Sequence, residues 1–402
     1  MNKKIKLLFV IESLTLGGAE KSLITLLNHL DYEKYDVDLQ LFSYHGSLQK
    51  YVPKEVTLLP SLTFFQYTSV SYKYFLKKLC RPIMLVSQVI YSMKLRLFKS
   101  TNIEKAVFFW KSCSKCFIQN DITYDVAIAY AQGIPTFYVA DKIKANSKIA
   151  WVNSDYNPMK KVIPYIVKKY NKFDYINLVS KESLNKFKVR FPFIRNKLVM
   201  IKDIIDYQLI EEMAKENPLL KLNYNSGTKI LTVGRLSPQK GYELLVDSAY
   251  LLKQKDVNFV WYIIGEGKER KKIEKKIVTY DLIKNVILLG AKENPYPYFK
   301  NCDLYVQTSL YEGYCITVSE AKIFNKAIIS TNFDAIYSQI VDKETGLITN
   351  KDADSIADTI IEVITDTKLK IKLTENLKKE MKGNYQELDL FQELIDKCMD
   401  KL

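Results

Sequence analysis

The sequence predicts an α/β protein made of two doubly wound, Rossmann-like domains, each a parallel sheet covered by helices. Three observations carry that expectation. The chain has 402 residues, more than one hydrophobic core ordinarily serves. Short runs that are apolar on both faces alternate with longer amphipathic stretches along nearly its whole length, the pattern of strands buried between helical layers. The strand–helix rhythm restarts at Lys229 after a polar segment, ENPLLKLNYNSGT.

Taken in order, strands are expected at residues 5–11, 37–42, 56–59, 126–130, 148–152, 176–180 and 198–201 in the first half. The second half predicts strands at 229–233, 259–264, 286–289, 304–307, 327–330 and 346–348. This places a first domain over residues 1–205, a linker over 206–228 and a second domain over 229–385. A last helix, residues 386–402, is expected to cross back onto the first domain. Open sheets of this type bind ligands beyond the carboxyl ends of their strands, so a cleft between the domains is the expected site.

One block breaks the rhythm. Residues 71–116 hold ten Lys or Arg and a single acid, Glu104, with Tyr74, Phe75, Ile83, Met84, Ile90, Tyr91, Phe108 and Trp110 interleaved. Such a basic amphipathic insertion reads as helices lying on an anionic membrane surface. It reads equally as a helical hairpin packed on the first domain with a solvated basic face.

Composition narrows the classes further. With 48% apolar and 26% charged residues the chain is globular rather than disordered. A net charge of +15 favours anionic partners, and no recognition module accompanies it that would single out nucleic acid. Six cysteines in so long a chain make no disulfide framework and point to a reducing, cytoplasmic compartment. The basic start MNKKIKLLFVIESL leads into a glycine turn, so it reads as a buried first strand and not as a signal peptide. No apolar run is long enough to predict a spanning helix.

Three stretches carry chemistry. Gly17 and Gly18 follow the first strand and open a helix, where they allow a tight turn and a close backbone approach to a ligand. A plain tight turn would also explain them. After the strand KILTV come Gly234-Arg235-Leu236-Ser237-Pro238-Gln239-Lys240-Gly241, two cations that suit a diphosphate: Arg235 forks two oxygens and Lys240 adds a point charge. The alternative is a basic turn capping a helix. Finally, YEGYCITVSEA places Glu312 on a loop after a strand and Glu320 about one turn into a helix. The N–H groups around Cys315, Ile316 and Thr317 offer an anion site at that helix start. Carboxylates accept and never donate, so Glu312 suits sugar hydroxyls and Glu320 a ribose diol. One loop acid plus one dipole-favoured acid in a first turn is the plainer alternative.

GGAE, VGRLSPQKG and EGYCITVSEA followed by AIIST, with IIGEG, VILLG and GLIT between and after them, resemble glycosyltransferase family 4 of the GT-B fold. YDVAIAYAQGIPT, KIAWVNSD and DYINLVSKE resemble its members that build bacterial capsular, exo- or O-antigen polysaccharides. The resemblance implies a nucleotide-sugar donor, UDP-linked, and a lipid-linked glycan acceptor reached at the inner membrane face. It implies that Arg235 and Lys240 bind the diphosphate, that Gly17 and Gly18 close over it, and that Gly234 opens the cation loop. Glu312 would hold sugar hydroxyls beside the main chain of Gly313, Tyr314 and Cys315. Ile316 and Thr317 would offer N–H groups to phosphate, and Glu320 would bind the ribose. Transfer would proceed with retention, without a side-chain nucleophile and without a metal, because cations and helix N–H groups neutralise the leaving group.

The chain departs from that pattern where relatives usually carry histidine: Asn153 stands there and cannot carry a proton. His29, in the first helix, and His45, in a loop, are expected to be structural. Asp203 replaces an asparagine usual at the domain junction. A non-catalytic GT-B relative serving as a sugar-binding or partner subunit, and an epimerase of the same fold, are the competing classes. Asp352-Ala353-Asp354 reads as a helix cap and not a metal motif. Asp36 and Asp38 are expected to alternate outward from a strand, and Cys113 and Cys116 to be unpaired thiols.

Overall fold

The computed structural model describes residues 3–44, 46–66, 82–97, 101–154, 156–216 and 227–401. The chain divides into two compact units, one of Met1–Asp203 with Gln386–Leu402 and one of Ile204–Tyr385.

The first unit is built on seven parallel strands: β1 (Ile5–Ile11), β2 (Tyr35–Leu41), β3 (Thr57–Leu58), β4 (Thr123–Ala129), β5 (Lys144–Val152), β6 (Tyr175–Leu178) and β7 (Leu198–Met200). Their order across the sheet is β3-β2-β1-β4-β5-β6-β7, so the chain switches direction between β1 and β4. Leu7, Leu8, Phe9 and Val10 of β1 are fully buried, as a central strand covered on both faces requires. Asp38 of β2 is buried too, contrary to the alternation expected of it. It accepts the Tyr124 hydroxyl at 2.8 Å, a partner contributed by the β4 strand that local sequence cannot reveal. The last helix, Gln386–Met399, belongs to this unit, where Phe391 packs on Phe9 and Trp151.

The basic block is half core. Two of its helices are described, α2 (Pro82–Leu97) and α3 (Asn102–Cys113), following α1 (Gly18–Asn28); residues 71–81 lie outside the described residues. Val107, Phe109, Trp110 and Cys113 of α3 are buried in the unit's core, and Tyr91 of α2 stacks edge-on against Phe109. Glu104 is no solvated acid. It closes a capping box with Thr101 and accepts the Met159 N–H at 2.8 Å. The hairpin reading therefore holds for α3. The outward face of α2 differs from a solvated basic face: Ile83, Val86, Val89, Ile90 and Met93 are exposed on it. Cys113 and Cys116 are free thiols near Ser87 of α2. No helix among the described residues is long and apolar enough to cross a membrane.

Asp141, at the end of α4 (Ile134–Lys142), ties this region together. It accepts the Trp110 Nε1–H at 2.8 Å and the ammonium groups of Lys169 at 2.5 Å and Lys172 at 2.8 Å. Burial works against its charge, but these three donors prevail and hold its carboxyl at about 2.

The second unit has six parallel strands: β8 (Thr228–Val233), β9 (Phe259–Ile264), β10 (Val286–Leu288), β11 (Leu304–Gln307), β12 (Ala327–Thr331) and β13 (Leu347–Thr349), in the order β10-β9-β8-β11-β12-β13. All thirteen strands read from the sequence are thus present. Side chains alternate between two cores: Leu304 and Val306 face one layer, Tyr305 the other. The expected linker is shorter than 206–228. Residues Tyr207–Met213 form a helix capped by Asp206, and Ile210 sits in the second unit's core; residues 217–226 lie outside the described residues. Asp352 caps the helix Ala353–Thr365 through the Ser355 N–H at 2.7 Å, as its sequence position suggests.

Candidate functional site

In the second unit the strand order reverses between β8 and β11, and the loops leaving these two strands lie side by side there. β8 runs into Gly234–Gly241 and β11 into the segment from Thr308 to Cys315. Hydrogen bonds lace the loops together. Thr308 Oγ1 donates to the Lys240 carbonyl at 2.9 Å, and the Leu310 N–H donates to the Gln239 carbonyl at 2.8 Å. Only glycine permits this approach at Gly241, whose φ is +65° and where a Cβ would lie 2.1 Å from the Thr308 carbonyl oxygen.

The lacing brings the lysine and the first glutamate of the two motifs into contact. Lys240 Nζ lies 2.5 Å from Glu312 Oε1, with the two side chains only 15% and 9% exposed. Ser309 Oγ donates to the same oxygen at 2.7 Å and Gln239 Nε2 to the other at 3.0 Å. Burial disfavours the Lys240 ammonium, but the adjacent carboxylate outweighs it and raises its proton affinity above the ordinary lysine value. Arg235 is exposed and near enough to oppose that charge. Gly234 leaves room for the lysine stem, since a Cβ there would meet Lys240 Cε at 3.3 Å.

α8 is the helix Ile316–Ile323, following α5 (Ile163–Tyr170), α6 (Tyr242–Gln254) and α7 (Tyr296–Asn301). Cys315 caps it in the left-handed region, φ +80° and ψ +68°, which turns the chain sharply from the Gly313–Tyr314 loop into the helix. The first N–H groups of a helix lack acceptors inside it, here those of Ile316 and Thr317. Gln339 Nε2 binds the Tyr314 carbonyl, with Ser319 Oγ on its own carbonyl oxygen at 2.7 Å, which fixes the loop from behind. Burial drives the Cys315 thiol up to about 12, so it stays protonated. Glu320 is wholly buried and accepts the Tyr296 hydroxyl at 3.0 Å.

The remaining predicted residues belong to the first unit. Gly17 caps α1 in extended conformation and Gly18 begins it, beside the β1–β4 switch. Asn153 follows β5. Its Nδ2 donates to the Tyr130 carbonyl at 2.7 Å and its N–H to Gln132 Oε1 at 3.0 Å. Its Oδ1 is buried and has no hydrogen-bond partner among the described residues. Asp203 is buried near Ser22, Glu20 and Glu387. Burial, reinforced by the two glutamates and opposed by Ser22, pushes its carboxyl up to about 7. His29 ends α1, its Nδ1 on the Thr25 carbonyl oxygen, and His45 lies outside the described residues. Gln239, Ser309, Gln339 and Tyr296 went unmarked in the sequence, because a polar residue in a loop or strand end gives no sign of its partner.

Residues 220–380 match the model of the family described as glycosyl transferases group 1. That match falls within the second unit. The chain also resembles named glycosyltransferases of bacteria and archaea. It is 26% identical over 357 residues, 86% of each chain, to an N-acetylgalactosaminyltransferase of Campylobacter jejuni that acts on an N-acetylgalactosamine-N,N'-diacetylbacillosaminyl-diphospho-undecaprenol. It is 30% identical over 204 residues to an uncharacterized glycosyltransferase of Methanocaldococcus jannaschii, where the match spans 48% of this chain and half of the relative's length. The fold is that of GT-B glycosyltransferases. Anabaena HepE, solved with UDP and glucose, aligns with a TM-score of 0.68 at 17% identity, covering 99% of this chain and all of that one.

Proposed function

We propose that the chain is a retaining hexosyltransferase that moves a sugar from a UDP-linked donor to a lipid-linked oligosaccharide during synthesis of a cell-surface polysaccharide. The observation that carries this reading is the Lys240–Glu312 contact at the β8–β11 switch point, with the start of α8 following the same loop. A cation for phosphate and an acceptor for hydroxyls, side by side, fit the two halves of a nucleotide sugar. The Campylobacter relative acts on a diphospho-undecaprenol glycan, and HepE was solved with UDP and glucose; both lend support by likeness.

In this reading Arg235, Lys240 and the N–H groups of Ile316 and Thr317 stabilise the charge that develops on the departing diphosphate. Glu312 receives sugar hydroxyls, and Glu320 the ribose diol once Tyr296 shares it. Asn153 Oδ1, an acceptor without a partner among the described residues, suits a hydroxyl of the reacting sugar. The attack takes place on the face the diphosphate leaves, so no protein nucleophile takes part, and the cations make a metal dispensable. Gly17 and Gly18, without Cβ atoms at the start of α1, suit a backbone N–H contact with phosphate.

The outward face of α2 supports work at the cytoplasmic face of a membrane. Ile83, Val86, Val89, Ile90 and Met93 form an exposed apolar ridge, with Arg96 at the end of the same helix. Such a ridge inserts shallowly into an anionic interface, each basic residue adding about 1 kcal/mol. A second reading, a sugar-binding relative without turnover, is favoured by Asn153 in the place of the usual histidine. Incubating the purified chain with UDP-hexoses and following UDP release decides between them. Release, with hydrolysis or transfer, supports the enzyme; binding without release supports the second reading.

A further inference from the structure

The polar side chains at the end of β11 are buried far more deeply than a strand end needs. Tyr305 and Ser309 are fully buried and Gln307 is 1% exposed. Tyr305 and Gln307 are spaced by two and so share one face of β11, the face toward α8, and Ser309 continues the line two residues past the strand end. They form a single hydrogen-bonded row. Gln307 Nε2 lies 2.6 Å from Ser309 Oγ, and Gln307 Oε1 lies 2.6 Å from the Tyr305 hydroxyl and 3.1 Å from Thr317 Oγ1.

The direction of every bond in the row follows from its last member. An ionised Glu312 only accepts, so Ser309 must donate to it and must receive from Gln307. The amide nitrogen of Gln307 then faces Ser309, and its oxygen takes the hydroxyl protons of Tyr305 and Thr317. Apolar groups of the same shape can replace a buried hydrogen-bonded pair at little cost, so folding alone does not account for the row.

We propose that Gln307 is a positioning residue: acting through Ser309, it keeps the Glu312 carboxylate in place when Lys240 leaves it for a phosphate of the donor. This rests on the donor reading given above. Without ligand, Lys240 is engaged by Glu312, and the diphosphate has to draw it away. Glu312 then loses its counter-charge, and among the described residues Ser309 and Gln239 are left to hold it where a sugar hydroxyl arrives. The row also begins at Thr317, on the helix start that faces the phosphates, so both ligand halves rest on one rigid set of bonds.

The test compares the affinity of UDP-glucose with that of UDP for the full chain, using Ser309→Ala, Gln307→Leu, the double variant and the milder Tyr305→Phe, each checked for an unchanged melting profile. Loss of one hydrogen bond to a charged group corresponds to about a tenfold effect. The expected result is UDP-glucose binding weakened about tenfold in Ser309→Ala and Gln307→Leu, with UDP binding unchanged. The double variant should lose no more than Ser309→Ala alone, because Gln307 acts through that serine. Tyr305→Phe should show a smaller loss in the same direction. Equal weakening of both ligands, or additive losses in the double variant, would overturn the proposal. If the unaltered chain binds neither UDP-glucose nor UDP, the donor reading itself fails.

Discussion

Replacing Lys240 by methionine keeps the length of the side chain and removes its charge, which isolates the worth of the Lys240–Glu312 contact. Both partners are mostly shielded from water, at 15% and 9% exposure, so the variant leaves a buried carboxylate without a counter-charge. Breaking a buried pair from one side costs about 3–5 kcal/mol. Ser309 and Gln239 still donate to Glu312, so the lower end, about 3 kcal/mol, is expected. For a unit of this size that corresponds to roughly 6–12 °C in Tm. Adding Glu312→Gln removes the stranded charge, and the double variant should return to within about 1 kcal/mol of the parent. Equilibrium unfolding in urea, read as a double-mutant cycle, measures both. A single variant that loses less than about 1 kcal/mol, or a double variant whose losses simply add, would show that the contact does not hold the two loops.

Other expectations follow from the first unit. Asp141→Asn should cost about 1–2 kcal/mol at neutral pH, discounted for its partly exposed partner Lys172. Because the folded carboxyl is held at about 2, below its unfolded value, its contribution is complete above about pH 4 and lost as pH falls toward 2; the variant should lack that part of the acid slope. Asp203 has the opposite sign. Its folded carboxyl sits at about 7, so the folded state holds the proton longer and stability declines as pH rises from about 4 to 7. Asp203→Asn should remove that decline and stabilise the chain by about 2–4 kcal/mol at pH 8, measured by melting across pH. Val86→Asp with Ile90→Asp, both exposed, should leave the fold intact and reduce sedimentation with vesicles containing anionic lipid several-fold. Unchanged sedimentation would refute the α2 surface.

Much of this architecture is legible in the sequence because buried parallel strands leave a strong local mark. IKLLFVI and FVWYII are apolar on both faces, and every expected strand is found at or within a few residues of its place. What escaped depends on distant partners. Asp38 reads as outward until Tyr124 meets it across the sheet, and nothing around Glu104 in the sequence shows that the Met159 N–H reaches it. In the basic block, charge counting could not show that Trp110 and Phe109 turn into the core while the apolar face of α2 turns out. At the site, the two motifs gave Lys240 and Glu312 but not their contact, which needs the strand order to set β8 beside β11. Glu320 was read as a ribose ligand, and the structure adds its burial against Tyr296. Gln307 gave no signal because a glutamine at a strand end reads as solvated.

The measurement closest to the central claim is calorimetric binding of UDP-glucose to the full chain and to Lys240→Met. The account predicts saturable one-to-one binding by the unaltered chain, with the variant at least tenfold weaker for both UDP-glucose and UDP, since it lacks the cation for the diphosphate. Equal affinities for the two proteins, or no binding of either ligand to the unaltered chain, would contradict it.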